Sequence, residues 1–268
     1  MTRKSLIFFG IALAISSIFQ ASSALAYVPP SHFIIKTLAA KHAGPKGIRL
    51  RSQVTKIENG KPSDVRFKAL TVYNAETQIL RSWALDDAGQ KLYQLERKAN
   101  TFTVPDALMF LSSVPDLTRT LTDAGVPIRS ESDLLALPDE EQRRNAEVTY
   151  FKRWKNVPAW LIGRPIKTEP QLWIEKDSFL PVRVLIQHEV QFDSYRFYRG
   201  FPYPRMISLI DSDETPVLQE EMLEFTTASS LPEFKGSAPF PASGFTEIGN
   251  ASPSAQKTLI EQFYKFVR

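Results

Sequence analysis

Asn59-Gly60, set between two runs that alternate apolar and polar residues, constrains this chain's fold more than any other feature of its sequence. Asn-Gly supplies the backbone of a tight hairpin turn, whose twist matches that of the strands it joins. The flanking runs, 47–58 and 63–76, have the two-residue period of strands, and Asn59-Gly60-Lys61-Pro62 reverses the chain between them. Further strands are expected over 77–86 and 90–98, around Asp87-Ala88-Gly89. Strands joined in succession by tight turns make an antiparallel meander. Within it Val65, Phe67, Ala69, Thr71 and Tyr73 point one way while Leu70 and Val72 point the other, so both faces are partly apolar.

Helices frame and interrupt this pattern. Ser31, after two prolines, reads as the N-cap of a helix to Ala43 that stops at Gly44-Pro45. From about 104 to 146 the alternation gives way to a helical insertion. Pro105-Asp106 opens one segment and Pro115-Asp116 another, with shorter pieces over 130–137 and 138–144. Strands resume over 147–154, 159–164, 171–176, 182–190, 191–198, 205–211 and 217–226. Pro202 and Pro204 mark 200–204 as a bend or an edge, because proline cannot donate to a ladder. Residues 229–251 read as an irregular loop, and Ser252-Pro253 opens a last helix over 253–268 with Leu259, Ile260, Phe263 and Phe266 at helical spacing.

Arg3 and Lys4, an apolar run from Leu6 to Phe19 and the small residues ending in Ala24-Leu25-Ala26 have the layout of a cleavable export signal over 1–26. The uninterrupted apolar part falls short of the roughly 20 residues of a spanning helix. Cleavage after Ala26 is expected to leave residues 27–268 as a single periplasmic domain that does not itself span a membrane. Losing Arg3 and Lys4 takes the net charge from +4 to +2, and no clustered basic surface speaks for nucleic acid. The chain has no cysteine, so neither disulfides nor an acylated amino-terminal cysteine is available to it.

Residues suited to chemistry are sparse. His32, His42 and His188 have no metal-ligand spacing, and neither a metal nor a cofactor is expected. No nucleophile elbow, S-x-x-K box or P-loop occurs. Asp211, Asp213 and Glu214, or Glu220, Glu221 and Glu224, could serve a carboxylate hydrolase if they converged in one cleft. Acids adjacent in a turn or along a strand more often form a solvated face. No catalytic residue is assigned, and an enzyme is not expected.

Large rings crowd the second half: Trp154, Trp160, Trp173, Phe179, Phe192, Tyr195, Phe197, Tyr198, Phe201 and Tyr203. A strand with rings on both sides must be covered twice or must enclose something; core packing and ligand lining both remain open for these residues. Within this stretch, Gln171-Leu172-Trp173-Ile174-Glu175-Lys176-Asp177-Ser178-Phe179-Leu180-Pro181-Val182-Arg183-Val184, preceded by Ala159-Trp160-Leu161-Ile162-Gly163, resembles the strand-turn-strand unit W-I-D/E-K-x-x-x-x-P-x-R of the outer-membrane lipoprotein-sorting superfamily of periplasmic lipoprotein carriers. The order of elements over residues 31–228 is similar to that family's as well.

The resemblance implies an α+β fold: a strongly curved antiparallel sheet, an unclosed barrel, with helices covering the concave face. It also implies a hollow that shelters a lipid or the acyl chains of a lipoprotein, for transport or sorting to the outer membrane. The expected lining is Phe67, Tyr73, Trp83, Trp173, Val184, Phe192 and Phe197, with Leu108, Met109, Leu111 and Leu121 as a helical lid. The competing expectation is an envelope sensor or scaffold that binds another periplasmic protein through a sheet edge or the 229–251 loop.

Overall fold

In the computed structural model, Asn59 and Gly60 take φ of 50° and 72° and turn β1 (Gly47–Glu58) back into β2 (Lys61–Asn74). The structure describes residues 28–129, 132, 135–139, 148–228, 230–234, 245–248 and 253–268. The export signal and most of the two short helices expected over 130–144 lie outside the described residues. After β2 the first meander continues through β3 (Ile79–Leu85) and β4 (Lys91–Lys98).

The second meander is β5 (Thr149–Trp154), β6 (Val157–Ile162), β7 (Gln171–Glu175), β8 (Pro181–Leu185), β9 (Glu189–Tyr198), β10 (Phe201–Ile210) and β11 (Pro216–Ala228). A short β12 (Phe245–Glu247) adds to β4. All pairings are antiparallel, in the order β12-β4-β3-β2-β1-β11-β10-β9-β8-β7-β6-β5. The two meanders run outward from one seam, where β1 pairs β11 from Gly47↔Ala228 to Lys56↔Leu218. The curved sheet stays unclosed, as the resemblance implied.

Several expectations are corrected or narrowed. The strand expected over 182–190 is broken at 186–188, where Ile186 N–H donates to the His188 carbonyl and the chain turns from β8 into β9. Of the bend or edge expected at 200–204, the edge is what forms: Gly200 belongs to the turn after β9, and Pro202 and Pro204 pair with Phe197 and Tyr195 inside β10. Pairing of β10 with β11 begins only at Met206, so both prolines sit where one side of the strand needs no donor. The 229–251 segment is not wholly irregular, since it contributes a 3₁₀ turn, Pro232–Phe234, and β12.

Helices cover one face. In α1 (Ser31–Lys41), Ser31 is the first helical residue rather than the cap; its hydroxyl accepts from Arg129 N–H at 2.6 Å and ties the helix to the middle of the insertion. The helices α2 (Val104–Phe110) and α3 (Val114–Asp123) share one start signal, Thr103-Val104-Pro105-Asp106 and Ser113-Val114-Pro115-Asp116. In each, the hydroxyl at the first position accepts the N–H of the Asp three residues on, and proline occupies an early position whose N–H would find no partner within the helix. The last helix, α4 (Ser254–Phe266), lies against β1 and β2. One apolar core joins α1–α4 to the sheet, and a smaller cluster of Leu70, Val72 and Trp83 with Leu85 and Phe234 covers part of the opposite face. No described helix is long and apolar enough to cross a membrane.

Candidate functional site

The middle of the concave face has a floor of small side chains. Across β1, β2 and β3 the register aligns Ser52 with Ala69 and Ala84, and Leu50 with Thr71 and Ser82. The Thr71 and Ser82 hydroxyls share a hydrogen bond of 3.0 Å in the buried interior. Small residues leave depth above the floor, and α4 occupies it. Leu259, Ile260, Phe263 and Tyr264 are buried there, with the Phe263 ring edge-on to Phe67 at 5.5 Å. Where the resemblance implied an open hollow, side chains of this chain fill the concave face.

A polar cluster pins the end of α4 into this interior. The Arg268 guanidinium, fully buried, donates to Glu220 of β11 at 2.8 Å, to the Tyr203 hydroxyl of β10 at 2.5 Å and to Asp106 of α2 at 3.2 Å. Ser52 donates a further hydrogen bond to Glu220 at 2.7 Å, and Arg97 of β4 donates to the Tyr264 carbonyl at 2.8 Å. Burial opposes the Arg268 charge, but Glu220, Tyr203 and Asp106 outweigh it and raise its pKa. Asp106 is less well served. Its Oδ2 has no hydrogen-bond partner, and burial, overriding Arg268 and Arg97, pushes its carboxyl up to about 6.

Beside the end of α4 opens an apolar slot of about 150 Å³, lined by Val104, Pro105, Val184, Ile186, Val190 and Phe266, with Lys265 and His188 at its rim. It is smaller than the roughly 300–1,000 Å³ of an ordinary ligand pocket. It meets the core at Val184 and Val190.

Of the expected lining residues, Phe67, Tyr73, Val184 and Phe192 lie in the concave core together with Leu108, Met109, Leu111 and Leu121. Trp83, Trp173 and Phe197 do not share that core. Trp83 neighbours Leu70 and Val72 in the outer cluster. Trp173 packs against Trp154 at 5.7 Å and beneath the Arg183 guanidinium. Phe197 is 63% exposed. Alternation separates two faces without saying which one the helices will choose.

The acids considered for hydrolysis do not converge. Asp211, Asp213 and Glu214 belong to the β10–β11 turn, where Asp211 accepts the backbone N–H groups of Asp213 and Thr215. Glu220 points inward to Arg268, whereas Glu221 and Glu224 pair with Arg205 and Arg51 at the surface. Among the described residues no group of three or more His, Asp or Glu could hold a metal ion. His42 is buried against Phe201 at 5.2 Å without a well-formed hydrogen bond to either ring nitrogen, and burial lowers its pKa to about 4.

The sequence reading named Glu220, Asp106 and Tyr203 only in other roles, and their convergence on Arg268 was missed. One signal was present: Leu218-Gln219-Glu220-Glu221-Met222 places a carboxylate at an inward position between two apolar ones. Such a residue must find a partner inside.

These features define a class by architecture: an open antiparallel half-barrel whose concave face is covered by helices, the last of them anchored by buried charge. Solved structures to which the chain is similar include a domain described as an outer membrane lipoprotein-sorting protein from Vibrio parahaemolyticus, at 9% identity over 76% of this chain and 96% of that one, with a TM-score of 0.46. A LolA superfamily protein from Nitrosomonas europaea is similar at 5% identity over 78% and 98%, TM-score 0.45. The complex of MucA and MucB from Pseudomonas aeruginosa is similar at 13% identity over 78% of this chain and 61% of that one, TM-score 0.30. No family model and no curated protein matches the chain.

Proposed function

We propose that this protein is a periplasmic carrier, released by cleavage after Ala26, that shelters a lipid or the acyl chains of a lipoprotein on its concave face. In the arrangement described above the carrier is closed, with α4 in the place an acyl chain would take. The observation that carries this reading is the small-residue floor of Ser52, Ala69, Thr71, Ser82 and Ala84, filled by one helix rather than by the sheet's own side chains. The apolar slot beside Phe266 is the mouth through which a hydrocarbon tail would begin to displace α4.

The energies are of matching size. Lifting α4 exposes Leu259, Ile260, Phe263, Tyr264 and Val267, each buried at about 1.5–3 kcal/mol, or about 10 kcal/mol in all. An acyl chain of about fourteen methylenes returns about 11 kcal/mol at about 0.8 kcal/mol each. Hydrocarbon burial therefore offsets the apolar cost of lifting α4, while the Arg268 cluster, which must also open, favours the closed form until a ligand is present. The reaction is binding and release, with no bond made or broken.

A disulfide lock tests this directly, because the chain has no cysteine of its own. Gln256 of α4 donates from its side chain to the Arg66 carbonyl of β2 at 2.8 Å. Val65→Cys, on the strand face that Phe67 presents to α4, and Gln256→Cys, joined by a bis-maleimide whose spacer contains a disulfide, should abolish uptake of a fluorescent fatty acyl probe, and reductant should restore it. Equal uptake by locked and reduced protein, or none by either, would overturn the proposal.

A further inference from the structure

The surface around β5 combines a strand edge that is unpaired among the described residues with a run of cations that have no carboxylate partner among them. We propose that β5 is a docking strand for an extended acidic segment of a partner protein, which adds to the sheet beyond its present edge. Among the described residues β5 pairs only with β6, from Thr149↔Ile162 to Trp154↔Val157. An edge strand directs every second pair of backbone N–H and C=O groups outward, a template for a further strand.

The side chains select for acid. No Asp or Glu occurs from Val148 to Thr168, whereas Lys152, Arg153 and Lys155 fall within or just after β5. Some exposed cations elsewhere on or beside the sheet have carboxylate partners, as in Lys46–Glu76, Lys56–Glu58 and Arg205–Glu221. Lys152, Arg153 and Lys155 have none among the described residues: Arg153 donates to the Asn156 carbonyl and Lys155 to Gln191. Phe151, 45% exposed, precedes them on β5 and leans on Trp160 at 5.5 Å.

The rings nearby form a rigid shelf rather than a greasy wedge. Trp154 stands 5.7 Å from Trp173 and beneath the Arg183 guanidinium at 4.7 Å, which Glu189 holds by an ion pair. Rings capped by cations are poorly placed to enter a bilayer, whereas a straight backbone edge with fixed charges suits a peptide. Arg153 and Phe151 share one side of the strand and Lys152 takes the other. An antiparallel partner would therefore present acidic, acidic and apolar residues in succession, opposite Arg153, Lys152 and Phe151.

The experiment uses the full mature chain and a labelled peptide, Thr-Val-Thr-Asp-Glu-Leu-Thr-Val-Thr, followed by fluorescence anisotropy. Binding should weaken about tenfold when Lys152→Glu and Arg153→Glu are combined. It should weaken comparably with Asn-Gln in place of Asp-Glu, and vanish when alternate peptide bonds carry N-methyl groups. Uptake of the acyl probe by the doubly substituted chain should stay unchanged, which separates this surface from the carrier reading. Failure of the peptide to bind, equal binding of the N-methylated peptide, or retention only by phosphatidylglycerol vesicles in a Lys152- and Arg153-dependent way would each overturn the proposal.

Discussion

Nη2 of Arg268 lies 2.8 Å from each carboxylate oxygen of Glu220, and neither side chain is more than 3% exposed. A charge pair so placed ties the end of α4 to β11 at one register, because any slip would leave one charge buried alone. Arg268→Met should therefore cost about 3–5 kcal/mol of stability, the cost of an uncompensated buried carboxylate. Adding Glu220→Gln and Asp106→Asn should recover much of the loss. Urea unfolding of the single and triple variants measures both; an Arg268→Met chain as stable as the parent would show that the cluster anchors nothing.

Two buried groups push the pH dependence of stability in opposite directions. Burial lowers His42 to about 4 from 6.5, so the unfolded chain binds its proton first as pH falls. Its contribution is present above the unfolded pKa and is lost as pH drops through that window, by up to about 3 kcal/mol. Burial raises Asp106 from 3.8 to about 6, so its contribution is complete at low pH and is lost as pH rises through the folded pKa. Between these limits the two offset each other. His42→Leu should leave a profile in which stability falls with rising pH, and Asp106→Asn one in which it rises. Urea midpoints taken across the acidic range would refute this assignment if both variants ran parallel to the parent.

The outer face of the first meander is covered by a clip of three residues. Phe234 packs with Leu70, Val72 and Trp83, while the Arg81 guanidinium sits 4.5 Å above its ring and donates to the Glu233 carbonyl at 2.7 Å. Arg49 holds the Glu233 carboxylate at 2.9 Å. Phe234→Ala should cost about 1–2 kcal/mol, less than a fully buried phenylalanine, and should shift Trp83 emission to the red. Unchanged emission with unchanged stability would show that the clip is absent in solution.

Strand positions and pairing were largely legible because their signals are local. Asn59-Gly60, Asp177-Ser178 and the alternation of Phe67, Ala69, Thr71 and Tyr73 each specify structure within a few residues. The seam between β1 and β11 could not be read in this way, since pairing Ile48 with Thr227 depends on which outward strands meet once the sheet has formed. Trp83 and Trp173 were assigned to the wrong face for a related reason. Both strand faces there carry apolar residues, and only the helices decide which becomes the interior. The filled hollow lay further still from local reading, because Leu259, Ile260, Phe263 and Tyr264 specify an amphipathic helix but not the small-residue floor it lies on.

The strand-turn-strand unit that prompted the family resemblance depends on one backbone position at its start. Gly163 ends β6 with φ of 109°, and a Cβ built there would lie 2.4 Å from the Pro170 carbonyl oxygen. Its N–H donates to the Val148 carbonyl at 2.8 Å, so this residue ties the end of β6 to the approach of β5 and to the loop before β7. At the start of β7, Gln171 donates to the Arg164 and Ile166 carbonyls of that loop and accepts from Trp173. An alanine at Gly163 would meet both a backbone conformation and a contact that it cannot accommodate, and backbone cannot swing aside as a side chain tip can. Gly163→Ala should therefore cost about 2–4 kcal/mol, with amide exchange quickening first in β5, β6 and β7. Gly89, whose φ of 83° is also positive but whose Cβ would meet open space, provides the control: Gly89→Ala should cost only about 1 kcal/mol. If the two substitutions cost the same, conformational strain alone would account for both, and the close approach of Pro170 would contribute nothing.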